Sequence, residues 1–244
     1  MNKSEIAIII PARFASTRLP GKPLIKVNNK PIIQWVYERA SESEYAGSVI
    51  VATDNKEIYD AVIGFGGKVC MTSSDHSSGS DRIAEIVRNK KNIQIAVNVQ
   101  GDEPLITSES IDTAICGLIE NNDTEITTLS RIIDDNDEIL NPNVVKVVFD
   151  RYFNALYFSR SPIPYERNEG ESKTYAHIGL YAYRRESLLK MTELEQTNLE
   201  KAESLEQLRA LQNGMKIKVY CVDYKPIGID TEEDLDKFKK LVCQ

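Results

Sequence analysis

The sequence is marked first by what it lacks. No apolar run approaches the length of a membrane span. The opening Met1-Asn2-Lys3-Ser4-Glu5 is followed by only five apolar positions, too few for the apolar region of a signal peptide. The four cysteines, Cys70, Cys116, Cys221 and Cys243, include no C-x-x-C pair and lie far apart, which argues against disulfides or a zinc site and for reduced, mostly buried thiols in a cytoplasmic protein. There is no basic excess: 37 acidic residues stand against 30 Lys and Arg, so a nucleic-acid partner is not expected. Internal repeats and Gly/Ser-rich linkers are absent, as are the Walker lysine pattern and the glycine-rich dinucleotide turn. What remains is a chain of 244 residues, enough for one α/β domain with a subdomain.

The stretch Ile6 to Pro23, I-A-I-I-I-P-A-R-F-A-S-T-R-L-P-G-K-P, organises that chain. Ile6 to Ile10 is apolar without alternation, the pattern of a strand buried on both faces of a parallel sheet. Pro11, Pro20, Pro23 and Gly21 keep the following loop from continuing as strand or helix, and the loop carries Arg13, Arg18 and Lys22. Ligands of open α/β sheets bind beyond the carboxyl ends of strands, and three cations there suit a polyanion such as a triphosphate.

Strand and helix patterns then alternate: Pro31 to Ser43 helical, Val49 to Ala52 a strand closing on Thr53-Asp54, Asn55 to Phe65 helical, Val69 to Met71 a strand, Arg82 to Asn89 helical, Ile93 to Val99 a strand, Thr107 to Glu120 helical. This predicts a doubly wound, mostly parallel sheet. From Ile126 shorter β runs take over, at Ile126 to Ile132, Val144 to Phe149 and Ala155 to Phe158, followed by a polar loop from Arg167 to Thr174 and a strand from His177 to Arg184. One amphipathic helix is expected over Ser204 to Leu211, a strand over Lys216 to Val222, and a last helix opening at Gly228-Ile229-Asp230-Thr231. The division expected is a nucleotide-binding half at 1–125, a smaller β-rich subdomain at 126–215, and a return to the main sheet at 216–244.

Gln100-Gly101-Asp102-Glu103-Pro104 sits at the tip of an expected strand. A carboxylate beside a triphosphate is repulsive unless a cation intervenes, and Mg²⁺ takes one or two carboxylates with water and phosphate completing its shell. The hydroxyl-rich segment from Thr72 to Arg82 also falls between a strand and a helix, at the same sheet edge.

P-A-R-F-A-S-T-R-L-P-G-K-P resembles the signature loop of the sugar-activating nucleotidyltransferases, and within them the CMP-Kdo synthetases (3-deoxy-manno-octulosonate cytidylyltransferases). N-V-Q-G-D-E-P, S-R-S-P-I-P, L-E-Q-L-R and G-I-D-T-E-E-D-L extend the resemblance from Ile8 to Leu235. It implies a Rossmann-like, GT-A-like fold, a homodimer, and CTP and a sugar acid as substrates, with Mg²⁺ held by Asp102 and Asp230. By the same resemblance Arg13, Lys22 and Arg18 are catalytic. Pro11, Ala12, Thr53, His76, Ser78, Gly79, Arg82 and Gln100 join Arg13 and Lys22 around the nucleotide. Arg160 takes the sugar carboxylate, and Gln100, His177, Tyr181, Glu206 and Gln207 face the sugar. Ser80-Asp81 stand where the family usually has Thr-Glu, and Ala176 where many members carry arginine, which leaves Kdo, its 8-amino form or another sugar acid open. A glycosyltransferase would need a D-x-D metal motif, and none is expected at a strand end. A non-enzymatic nucleotide-binding module would bind CTP without releasing pyrophosphate.

Overall fold

The computed structural model describes residues 2–14, 19–168 and 170–242. In chain order its elements are β1 (Ile6–Ala12), β2 (Lys26–Val27), β3 (Lys30–Pro31), α1 (Ile32–Ser41), β4 (Ser48–Thr53), α2 (Lys56–Gly64), β5 (Val69–Met71), α3 (Gly79–Asn89), β6 (Ile95–Asn98) and α4 (Ser108–Glu120). These are followed by β7 (Ile126–Ile133), α5 (Asn136–Leu140), β8 (Lys146–Phe149), β9 (Ala155–Ser159), β10 (Thr174–Arg184), α6 (Arg185–Glu193), α7 (Asn198–Glu203), α8 (Gln207–Gln212), β11 (Ile217–Cys221) and α9 (Glu232–Val242). The chain divides into two compact units, Met1–Asp112 with Lys225–Gln244, and Thr113–Tyr224.

In the first unit β6, β1, β4 and β5 lie side by side and all parallel, as the strand–helix alternation predicts. Ile6 to Ile10 are all buried, which the unbroken apolar run requires. β1 does not stop before the proline, however: it runs on through Pro11 and Ala12. β6 pairs with β1 only as far as Ile9 opposite Asn98, while β4 continues to Ala12 opposite Thr53. Past Ile9 the ladder on the β6 side has ended, so a residue with no N–H is tolerated there. β2 and β3 form a hairpin that the sequence reading did not foresee, turned by Asn28 and Asn29 at φ 52° and 63°.

The end of the chain belongs to this unit. Leu235 and Phe238 of α9 pack with Leu19, Val27, Ile32 and Ile229 in one apolar cluster, and Trp35 meets Phe238 edge-on at 5.6 Å. The Ile229 N–H donates to the Asp102 carbonyl at 2.9 Å, which ties the segment before α9 to the tip of β6.

In the second unit β7 lies between parallel β11 and antiparallel β10; β10 also meets β8, which pairs antiparallel with β9. The helix expected over Ser204 to Leu211 is two helices instead. Ser204 has φ 52° and ends α7, and α8 begins at Gln207. Leu205 and Leu208 are buried, as the apolar spacing predicts, while Leu211 is only half-buried. Cys70 and Cys116 are half-buried and Cys221 is exposed, all three free, against the expectation of mostly buried thiols; Cys243 lies outside the described residues.

Candidate active site

Lys22 opens a short 3₁₀ turn, Lys22–Leu24, directly after Gly21 at φ 67°, a left-handed conformation that suits glycine. From there its Nζ donates to Asp102 Oδ2 at 2.7 Å and to Asp230 Oδ1 at 3.0 Å. Burial opposes the charge on Lys22, but the two carboxylates outweigh it and raise the pKa of the ammonium above its ordinary value. The two aspartates, separated by most of the chain, therefore converge on one cation. The bond from Ile229 to the Asp102 carbonyl is the reason, since it places residue 230 beside residue 102. The capping of α9 falls to the residues that follow Asp230. Thr231 Oγ1 accepts from the Asp234 N–H at 3.2 Å and Asp234 Oδ2 receives the Thr231 N–H at 3.1 Å, so the capping of α9 does not use the Asp230 carboxylate.

Burial, with Asp102 adding to it, pushes the Glu103 carboxyl up to about 8, so this third acid holds its proton at neutral pH. Arg13 is half-buried, and its Nη2 is buried with no hydrogen-bond partner, an arrangement that an anion would relieve. Arg18 lies outside the described residues. Gly101 allows the tips of β1 and β6 to approach: a Cβ there would lie 2.8 Å from the Pro11 carbonyl oxygen.

Ser78 caps α3, accepting from the Asp81 N–H at 3.1 Å, while Asp81 Oδ2 receives the Ser78 N–H at 3.1 Å. Gly79 lies beside Pro11, since a Cβ at 79 would be 3.3 Å from its ring. His76 Nε2 is 2.5 Å from Glu85 Oε2, which also accepts the Ser73 N–H at 3.0 Å. Arg82 is fully buried. Its Nη2 donates to Asp54 Oδ2 at 2.7 Å and its Nη1 to Thr72 Oγ1 at 2.5 Å, while the Thr72 N–H donates to the Thr53 carbonyl at 2.9 Å. Arg82 thus fastens the serine-rich segment to the end of β4. Pro11 and Ala12 lie at the tip of β1, Thr53 at that of β4, and Gln100 just past β6.

Except for Gln100, which belongs to the first unit, the residues expected at the sugar lie in the second unit. Arg160 donates from Nε to the Glu203 carbonyl at 2.7 Å, from Nη1 to the Pro142 carbonyl at 3.0 Å and from Nη2 to the Ser204 carbonyl at 3.5 Å. Two of these acceptors lie at the carboxyl end of α7, where a cation is favoured. One N–H remains on each terminal nitrogen, the pair that a bidentate carboxylate uses. The Glu203 carboxylate in turn accepts from the Arg160 N–H at 2.9 Å and from Ser159 Oγ at 2.6 Å. His177 packs between Phe158 and Tyr181, with ring centroids 4.9 and 5.3 Å away. Gln207 is buried and its Nε2 has no hydrogen-bond partner, whereas Glu206 is half-buried.

Ala176 is buried, opposite Arg131 on β7 and Lys146 on β8. Both cations are engaged, Arg131 with Glu138 and Lys146 with the carbonyls of Asn141, Val144 and Arg160 at 3.0, 2.6 and 2.7 Å. Lys146, Glu203 and Thr128 were missed in the sequence. Lys146 left a trace, a lone lysine inside V-V-K-V-V, but Glu203 and Thr128 left none. Against the expectation that no D-x-D triplet stands at a strand end, Asp135 to Asp137 follow β7; the Asp135 side chain accepts from the Asp137 N–H at 3.0 Å and caps α5.

A cytidylyltransferase family model matches residues 7–217. The 3-deoxy-manno-octulosonate cytidylyltransferase of Thermodesulfovibrio yellowstonii is 51% identical over 95% of this chain and 96% of its own. That of Solibacter usitatus is 48% identical over 97% and 94%. A solved structure of CMP:2-keto-3-deoxy-manno-octonic acid synthetase complexed with CTP superposes with a TM-score of 0.95 at 42% identity, covering 98% of this chain and 99% of that one. A 4-diphosphocytidyl-2C-methyl-D-erythritol synthase from Anaerococcus prevotii, 16% identical with a TM-score of 0.65, shares the fold. The chain belongs to the cytidylyltransferase family, among the 3-deoxy-manno-octulosonate cytidylyltransferases.

Proposed function

We propose that this enzyme transfers the cytidylyl group of CTP to the anomeric hydroxyl of 3-deoxy-manno-octulosonate, for lipopolysaccharide synthesis. A bond forms between the anomeric oxygen and the α-phosphorus, the bond from that phosphorus to the bridging oxygen breaks, pyrophosphate leaves, and the hydroxyl proton passes to solvent. The observation that carries this reading is the convergence of the Asp102 and Asp230 carboxylates on the Lys22 ammonium, in a chain nearly half identical to cytidylyltransferases of this kind. No protein nucleophile is needed, because this transfer is accelerated by positioning and by offsetting charge. Lys22 and Arg13, whose Nη2 has no partner, would bind the α-phosphate and the departing pyrophosphate, with Arg18 assigned to the same work by resemblance.

Pro11, Ala12, Thr53, His76, Ser78, Gly79 and Gln100 would surround the nucleotide, and Arg82 would act by holding their segment in place. Arg160 would take the sugar carboxylate on its two remaining N–H groups, with Gln100, His177, Tyr181, Glu206 and Gln207 around the hydroxyls. Among the described residues no cluster of three metal-ligating side chains occurs. Two hard carboxylates around a single cation nevertheless fit Mg²⁺, which takes one or two and fills its shell with water and phosphate. Asp102 and Asp230 would hold it, and when bound it supplies further neutralisation of phosphate charge.

A homodimer and a cytoplasmic location complete the reading. Tyr152, Phe153 and Leu156, around the β8–β9 hairpin, are exposed apolar surface that a second copy could cover, which sedimentation would test. No described helix is long and apolar enough to cross a membrane. Pyrophosphate release should be measured with CTP, Mg²⁺ and a panel of Kdo, 8-amino-Kdo and a nonulosonic acid. Kdo should give the highest kcat/KM. Faster turnover of the amino sugar would reassign the acceptor through Ala176, and no release with any acid would end the proposal.

A further inference from the structure

The ladder between β10 and β7 slips once. His177 faces Ser130 and Ile178 faces Leu129, but the next pair is Tyr181 with Thr128, so Gly179 and Leu180 bulge. A bulge frees carbonyl groups and re-aims the side chains beside it. Thr128 sits at this slip, fully buried, and its Oγ1 has three neighbours: the Leu180 carbonyl at 2.8 Å, the Ile178 carbonyl at 3.2 Å and His177 Nε2 at 2.9 Å.

A hydroxyl has one proton to donate, and carbonyl oxygens only accept. The Thr128 proton therefore goes to the bulge carbonyls. Its oxygen then has only lone pairs to offer the ring, so His177 Nε2 must carry a proton and donate it. Burial holds the imidazole neutral, lowering its pKa to about 3, so the ring has a single N–H. That leaves Nδ1 a bare lone pair, and it makes no hydrogen bond among the described residues. A half-turn of the ring would keep its contacts with Phe158 and Tyr181 but put Cε1 where Nε2 meets Thr128, so the bond to Thr128 sets the orientation.

We propose that Thr128 is a positioning residue which, with the β10 bulge, locks His177 as the neutral Nε2–H tautomer and presents Nδ1 as an acceptor for a hydroxyl of the sugar acid. The second half of this statement rests on the placement of His177 at the sugar proposed above. The device selects for a donor: a substrate that carries a hydroxyl opposite Nδ1 is held, and an analogue with an ether or a hydrogen there leaves the lone pair unmatched.

The chain has only two histidines, so long-range proton–nitrogen NMR of the histidine-labelled full-length protein reads both rings, with a His177→Gln variant assigning them. The wild type should show the proton on Nε2, and Kdo should shift the Nδ1 resonance. Thr128→Ser should keep this spectrum, whereas Thr128→Val should admit the second tautomer and raise KM for the sugar acid about tenfold with KM for CTP unchanged. A proton on Nδ1 in the wild type, a doubly protonated ring at neutral pH, or an unaltered ring in a folded Thr128→Val would overturn the lock. The wild-type spectrum decides the matter even if Thr128→Val does not fold. A locked ring in a protein that turns over no sugar acid would instead refute the proposed function and leave the tautomer assignment intact.

Discussion

The two units hold their key cations in opposite ways. In the first, Lys22 is answered by charge, with Asp102 and Asp230 at 2.7 and 3.0 Å. In the second, Lys146 and Arg160 are answered by backbone carbonyls, three for each. A cation balanced by carboxylates can exchange them for phosphate oxygens of the same sign when a ligand arrives. A cation coordinated by main-chain oxygens cannot leave without exposing them. The first arrangement suits chemistry that moves charge, and the second suits holding a shape. The pKa values follow the same division: that of Lys22 is raised despite its burial, whereas that of Lys146 is lowered by burial, with Glu203 opposing and Arg160 adding to the fall.

Lys22→Met should give the largest effect, since it removes the exchangeable charge. Pyrophosphate release should fall by about 10²–10³ while the thermal midpoint moves little, and an unchanged kcat would place Lys22 on the structural side of the contrast. Lys146→Met should do the reverse. With three carbonyls left without a donor, urea denaturation should show a loss of about 2–4 kcal/mol, and KM for the sugar acid should rise through Arg160 more than KM for CTP. Thr231→Val is the smallest change. Losing this cap of α9 should cost about 1 kcal/mol and loosen Asp230 without removing it.

A pH series sharpens that last point. Burial opposes the charge on Asp234, but the hydroxyl of Thr231 and the N–H groups of residues 230 and 231 outweigh it and lower the pKa of the carboxyl. Because the folded pKa is the depressed one, this contribution is fully present above the ordinary carboxylate range and is lost as pH falls through the folded value. Asp234→Asn should therefore flatten the acid limb of stability measured from pH 5 downward, and leave it unchanged if the cap does not form.

What was legible in the sequence follows the same contrast. The run Ile6 to Ile10, the strand–helix alternation and the acids at Asp102 and Asp230 are local features whose physics is visible residue by residue. Lys146, Glu203 and Thr128 act on main-chain atoms made neighbours by folding, and no spacing announces that. The split at Ser204 escaped for a related reason. Its neighbours favour a helix, but the turn there presents the 203 and 204 carbonyls to Arg160. Arg82 sits in a recognisable motif, and only its burial shows that it binds the protein itself.

One backbone hydrogen bond, from Ile229 to Asp102, also bears on how the protein is made. Asp230 is synthesised 208 residues after Lys22. Until then the nascent chain carries the cationic loop and the first acid but not the second, so a product cut short before residue 228 would retain every strand of the parallel sheet and still lack one wall of its reaction centre.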